Sequence, residues 1–135
     1  MTVQYSVAVR NAQLDALETA IGASGILKIR SGAVPASCAT ADAGTVLATL
    51  NLPADYMAAA SGGSKAKLGT WEDLAGDAAG VAAHFRLYAS DGTTCHMQGT
   101  VTLTGAGGDM TLDNTNIAVG QAITVSGFTI SRGNA

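Results

Sequence analysis

Charge is scarce in this 135-residue chain. Asp, Glu, Lys and Arg make up 13% of it, about half the usual share for a soluble domain. Seven Lys and Arg against ten Asp and Glu leave a net charge of -3. Lys65 and Lys67 form the densest basic spot, whereas nucleic-acid binding needs several cations on one face. Aromatic residues amount to 4% and prolines to two. No apolar run approaches the roughly 18 residues of a membrane span. The first residues lack the basic-then-apolar layout of a secretory signal. The expected location is a cytoplasm, or a larger assembly built there. Only two cysteines occur, Cys38 in a loop-like stretch and Cys95 on the inner face of a predicted hairpin. Two free thiols are expected, one of them a small core residue; a bridge from loop to sheet is the alternative.

What the chain has instead is small and apolar. Hydrophobic content is 47%, much of it alanine, alongside 17 glycines. Such a composition excludes a disordered chain, and the length suits one domain with its own core. The strongest pattern runs from Val81 to Thr104. Val81, Ala83, Phe85, Leu87 and Ala89 alternate with Ala82, His84, Arg86 and Tyr88. After Ser90-Asp91-Gly92, Cys95, Met97, Gly99, Val101 and Leu103 alternate with a polar set that includes His96 and Gln98. Period-two alternation marks a strand with one dry and one wet face. A three-residue turn with Gly92 in the left-handed conformation predicts Leu87 opposite Cys95, Phe85 opposite Met97 and Val81 opposite Val101. It would also set Arg86 opposite His96 and His84 opposite Gln98.

Elsewhere the chain reads as short strands between turns. Val3, Tyr5, Val7 and Val9 alternate as a short strand would, so residues 3–9 read as strand or helix; the favoured reading is a helix from Ser6 to Ile21 ended by Gly22, with Val3, Val7, Leu14, Leu17 and Ile21 on one stripe and Arg10 intruding. Strands are predicted at Ile26–Arg30, Thr45–Leu52 and Leu68–Leu74, the last around Trp71, with a helical turn at Pro53–Met57. Residues 33–44 and 58–67 read as loops. Strand signals follow at Met110–Thr115 and Ile117–Val119. In the last run the phase changes at Gly127, which predicts a β-bulge. The expected fold is mainly β, an antiparallel, jelly-roll-like β-sandwich with one N-terminal helix. Residues 1–25 would be the helical arm and 26–135 the single sandwich domain.

The chemistry-bearing residues do not assemble into a reactive set. His84, Arg86, His96 and Gln98 share the wet face, but the histidines are diagonal with no carboxylate between them, and metal sites need three or four supported ligands. No nucleophile motif, zinc-protease helix or phosphate-gripping loop is present. Gly105 to Asp109, with Asp113 and Asn114, reads as a plain turn. Neither a catalytic residue, a metal ligand nor a cofactor site is predicted. Two other classes stay open: a carbohydrate-binding module, which needs Trp71, Tyr88 and Tyr56 together on the surface, and a small hydrolase using His84 or His96.

Three segments carry a resemblance: Val9-Arg10-Asn11-Ala12-Gln13-Leu14-Asp15-Ala16-Leu17-Glu18, Leu27-Lys28-Ile29-Arg30-Ser31-Gly32 and Thr94-Cys95-His96-Met97-Gln98-Gly99-Thr100-Val101. The chain resembles small virion proteins of tailed bacteriophages, above all head cement or decoration proteins; a tail or fibre component is the other virion option. The resemblance implies a non-enzymatic protein on the capsid surface, assembled in the host bacterial cytoplasm. Its implied partners are the major capsid protein and itself, as a dimer or trimer, with no nucleic acid and no membrane. The expected contact residues are Val3, Val7, Arg10, Leu14, Leu17, Lys65, Lys67, His84, Arg86 and His96. Removal of residues 1–21 is expected to abolish capsid binding and spare the sandwich.

Overall fold

The computed structural model describes residues 3–133. Helix α1 spans Val7–Ile21. Ser6 caps it, its hydroxyl accepting from Val9 N, which satisfies one of the orphan amides of the first turn. Gly22 ends it at φ 82°, a backbone region that glycine enters without a Cβ clash. Of the predicted stripe, only Leu14 and Ile21 are buried; Val3 and Val7 stand in solvent.

Ten strands follow: β1 (Ile26–Arg30), β2 (Val46–Asn51), β3 (Ser64–Ala66), β4 (Glu72–Asp73), β5 (Gly80–Val81), β6 (His84–Tyr88), β7 (Cys95–Leu103), β8 (Met110–Leu112), β9 (Asn116–Ile117) and β10 (Ile123–Ser131). The main sheet runs β2-β1-β6-β7-β8-β10-β3, with β4 also on β10 and a separate β5-β9 pair. The chain is thus mainly β with one helix, and its open sheet is rich in antiparallel pairs. One pair is parallel, β7 with β8, because the glycine-rich stretch 105–109 carries the chain back to the start of the neighbouring position instead of reversing it. Strand β2 is also tied to the stretch around β4: Thr49 N donates to Asp73 Oδ2 at 2.9 Å, and Asp77 N donates to the Leu47 carbonyl.

One core fills the interior. Leu27, Ile29, Leu47, Leu50, Phe85, Leu87, Met110, Val125 and Phe128 belong to it. Phe128 is its hinge, 5.4 Å from Phe85 and 5.6 Å from Trp71 between ring centroids, spacings at which aromatic pairs gain beyond their buried area. Trp71 is fully buried and donates from Nε1 to the Tyr56 carbonyl. It precedes a two-residue strand rather than centring a seven-residue one. Pro53–Met57 is not helical; Met57 instead bridges to Lys67. Within the predicted loop 58–67, residues 64–66 pair with β10 as β3. The bulge predicted at Gly127 is present, between Val125 and Gly127.

The hairpin departs from its predicted register. Leu87 lies opposite Met97, Phe85 opposite Gly99, Arg86 opposite Gln98 and His84 opposite Thr100. The turn is longer than predicted: Ala89 N donates to Thr94 O, and Asp91 accepts from Thr93 N and Thr94 N. Tyr88 then pairs with Cys95 before the register shifts by one residue. His96 is the extra residue, a bulge that turns Cys95 onto the Tyr88 face and leaves Met97 on the Leu87 face. Val81 does not belong to the hairpin; it pairs with Asn116 in the β5-β9 ribbon and is exposed.

Candidate functional site: a cationic sheet face under a tethered loop

The β1, β6 and β7 ladders line up one face of the sheet. Lys28 lies opposite Arg86 and Arg30 opposite His84, while Arg86 lies opposite Gln98 on the other side. Alternation therefore gathers Lys28, Arg30, His84, Arg86 and Tyr88 on one surface, and Leu27, Ile29, Phe85 and Leu87 on the core side. This is the face that the sequence suggested would be wet. It is buried: His84 is 0% exposed and Arg86 2%. The residues numbered 33–44 lie across it as a lid.

Asp42 holds that lid. Its Oδ1 accepts from Arg86 Nη1 and from the Tyr88 hydroxyl, each at 2.7 Å, and its Oδ2 accepts from Arg30 Nη2 at 3.0 Å. Arg86 Nη2 also donates to the Ser37 and Thr40 carbonyls, and Gln98 Nε2 to the Pro35 carbonyl. Partial burial of Asp42 opposes its ionisation. The Tyr88 and Arg86 hydrogen bonds and the two guanidinium charges outweigh that, and its carboxyl lies below the usual range. Burial first, then the bond to Asp42, pushes the Tyr88 phenol up. Lys28 sits 5.1 Å from the Tyr88 ring centroid and donates to the Gly92 carbonyl. The arrangement is an anion-binding pocket filled by the chain's own carboxylate.

A covalent tie accompanies this network. Cys38 and Cys95 form a disulfide with Cα atoms 5.3 Å apart, within the span such a bridge requires. The expectation of two free thiols is overturned. The reason is the His96 bulge, which takes Cys95 off the core face and points it at the lid. His84 is locked as well: Nδ1 lies 2.7 Å from the Gly32 carbonyl. A neutral ring with its proton on Nδ1 satisfies that carbonyl. Nε2 is buried without a hydrogen-bond partner. Burial, then the charges of Arg30 and Arg86, hold the His84 pKa below its ordinary value despite the Gly32 bond.

The remaining predicted contact residues scatter. Lys65 is buried and donates to Asp15 at 2.7 Å, Glu18 at 2.6 Å and the Ala58 carbonyl at 2.8 Å; it fastens α1 to β3 rather than facing outward. Burial alone would lower its pKa, but the two carboxylates raise it. Arg10 donates to the Arg132 carbonyl, Lys67 to the Gly69 carbonyl, and Leu14 and Leu17 line a cleft with Ile130 and Arg132. His96 is exposed on its bulge. The structure does not bring the two histidines together, since His84 lies opposite Thr100. Of the predicted contact residues Val3 and Val7 are exposed apolar side chains, as are Tyr5 and Val9 nearby, but Val7 and Val9 lie two positions apart on α1 and point to opposite sides of it.

Trp71, Tyr56 and Tyr88 are all buried, so the sugar platform that a carbohydrate-binding module needs is not formed. Among the described residues no three His, Cys, Asp or Glu side chains gather as a metal site. Asp109 is spent on Thr100, accepting from its backbone N and its hydroxyl, which agrees with a plain turn. Among the same residues no helix is long and apolar enough to cross a membrane. Sequence reasoning missed Asp42, Arg30 and the lid itself; the available signal was that Arg30 and Arg86 fall on the same phase of two strands that pair. Compared with known proteins, the chain matches no family model, no curated protein and no solved structure.

Proposed function

We propose that this chain is a non-enzymatic virion structural protein that binds the outside of a phage capsid and braces neighbouring capsomers, as a dimer or trimer. The observation that carries the reading is the group of exposed apolar residues Val3, Tyr5, Val7 and Val9 around the start of α1, on a chain that buries His84, Arg30 and Arg86. Contact surfaces are depleted of charge and enriched in apolar and aromatic residues at their centre. Weak contacts repeated over a symmetric shell add through effective concentration. The Cys38–Cys95 bridge fits a protein that ends on a particle surface, where disulfides persist. The same reading takes the open sheet as a jelly-roll-like sandwich folded over one core.

The test is cosedimentation with shells assembled from the major capsid protein of the same genome. Saturable binding at a fixed ratio to capsomers is expected, together with its loss in Val7→Asp/Val9→Asp. Absence of binding by the unaltered chain would sink the proposal. Removal of residues 1–21 is a poor probe, because it also strips Leu14 and Ile21 from the packed interior and leaves buried Lys65 without Asp15 and Glu18.

A further inference from the structure

The lid is separable from the fold that carries it. The ladders beneath are complete without it, β1 pairing with β2 and β6, and β6 with β7. No side chain of residues 33–44 enters the hydrophobic core; all are exposed except Pro35 and Cys38, which are half-buried. The two ends of the lid are clasped together, Ser31 N donating to the Thr45 carbonyl and Thr45 N to the Ser31 hydroxyl. Just inside the clasp stand Gly32 and Gly44, at φ 81° and 73°, residues of the small kind that often absorb a hinge motion. What holds the lid down is the Cys38–Cys95 bridge and a set of hydrogen bonds of one polarity.

In each of those bonds the sheet side chain donates and the lid accepts. Arg30, Arg86 and Tyr88 donate to the Asp42 carboxylate, Arg86 also to the Ser37 and Thr40 carbonyls, and Gln98 to the Pro35 carbonyl. Without the lid the face is a set of donors that lack acceptors. Charge is unbalanced in the same sense. Among the described residues Asp42 is the one carboxylate paired with Arg30 and Arg86, so one negative charge answers two positive ones. Arg30 Nε, a further donor, is buried with no hydrogen-bond partner at all. An occupant with more acceptor atoms and more charge than a carboxylate satisfies such a face better. A phosphate dianion is one: its oxygens match the guanidinium fork, and its charge equals that of two arginines.

We propose that the lid covers a phosphate-binding site, and that a dithiol opens it by reducing the Cys38–Cys95 bridge, letting a phosphate dianion replace Asp42 against Arg30, Arg86 and Tyr88. One thiolate of the dithiol attacks a bridge sulfur, and its second thiol then closes the dithiol into its own disulfide. The dithiol gives up two electrons and two protons, and Cys38 and Cys95 are left as thiols. While the bridge is closed, Asp42 is held beside the guanidinium groups at an effective concentration that a dissolved anion does not match. Once the bridge is open, only the clasp and the lid's own hydrogen bonds keep Asp42 in place, and phosphate competes. The inference is independent of the capsid reading, and its test uses no shell.

Inorganic phosphate is titrated calorimetrically into the full chain, ionic strength being held with chloride, before and after reduction by dithiothreitol. Reduction is expected to raise phosphate affinity at least about tenfold. Asp42→Asn in the reduced chain should raise it further, because the competing carboxylate is gone. Arg86→Gln should abolish binding, and Tyr88→Phe, which removes a single donor, should weaken it. Phenyl phosphate in place of the free ion reads the source: tighter binding identifies a phosphomonoester, weaker binding the free ion. Equal affinity before and after reduction, no binding by the reduced chain, a reduced Asp42→Asn chain that binds no tighter, or affinity unchanged in either of the other two variants overturns the proposal. So does loss of the near-ultraviolet circular dichroism of buried Trp71 on reduction, which would mean that the lid does not move apart from the fold.

Discussion

Replacing Cys38 and Cys95 together by serine tests the lid most directly. The bridge closes a loop across a sequence separation of 57 residues. The loop-closure model gives about 4 kcal/mol of denatured-state entropy for a loop of that length at 25 °C. Urea unfolding should therefore reach its midpoint about 2 M lower, taking a denaturant slope of about 2 kcal/mol per M. Reductant should shift the native chain similarly and leave the double-serine variant unchanged. The loss should begin locally: without the tie, the lid depends on Asp42 and the Arg86 bonds, so the Arg86 side chain should gain exchange with solvent before global unfolding. Coincident urea curves with and without reductant, or two free thiols by mass after labelling the unreduced protein, would refute the reasoning.

Three further outcomes follow from the same packing. Asp42→Ala leaves Arg30 and Arg86 under the lid without their carboxylate; breaking a buried pair costs about 3–5 kcal/mol, reduced to about 2 by the 42% exposure of the Asp42 side chain, measurable by urea unfolding. His84 has a lowered pKa in the fold, so the unfolded chain binds its proton first. Stability from this group is complete above pH 6.5 and falls as pH drops from there toward the lower folded value; His84→Gln should flatten that part of the profile, and an unchanged slope counts against the assignment. Gly99→Ala would set a Cβ 2.8 Å from Asp109 Oδ2 and 2.9 Å from Phe85 Cε1, an overpacking worth about 1–3 kcal/mol, read as a lower melting temperature.

The helix, the core side of the hairpin and the Gly127 bulge were legible because each is written in local phase. Ser6 and Gly22 bracket α1 by capping chemistry, and Phe85 and Leu87 keep their face even though the predicted register is off by two. A shift of two preserves which side a residue faces, whereas a shift of one reverses it. Cys95 was misplaced for that reason: the single extra residue His96 reverses its side, and nothing at His96 announces a bulge. The lid was illegible for a different cause. Asp42 has its partners 12, 44 and 46 residues away, and residues 33–44 carry no periodicity to say that they cover anything. A face of alternating polar residues looks wet until something distant is known to lie on it. Lys65 failed likewise, since Asp15 and Glu18 are brought to it only by the packing of α1 on β3.

The place of β10 in the sheet has a consequence for how the chain acquires its shape. This strand, late in sequence, is the shared neighbour of β3, β4 and β8. A growing polypeptide that has emerged only as far as Leu112 can form the β2-β1-β6-β7 meander, but β3 and β4 have no sheet to join. Completion waits for residues 123–131, and the pairings they make reach back to residues 64–66 and 72–73. Such long-range closures slow folding and leave sheet edges open in the interval. Assembly of the whole domain is therefore decided by β10, whose pairings close the sheet.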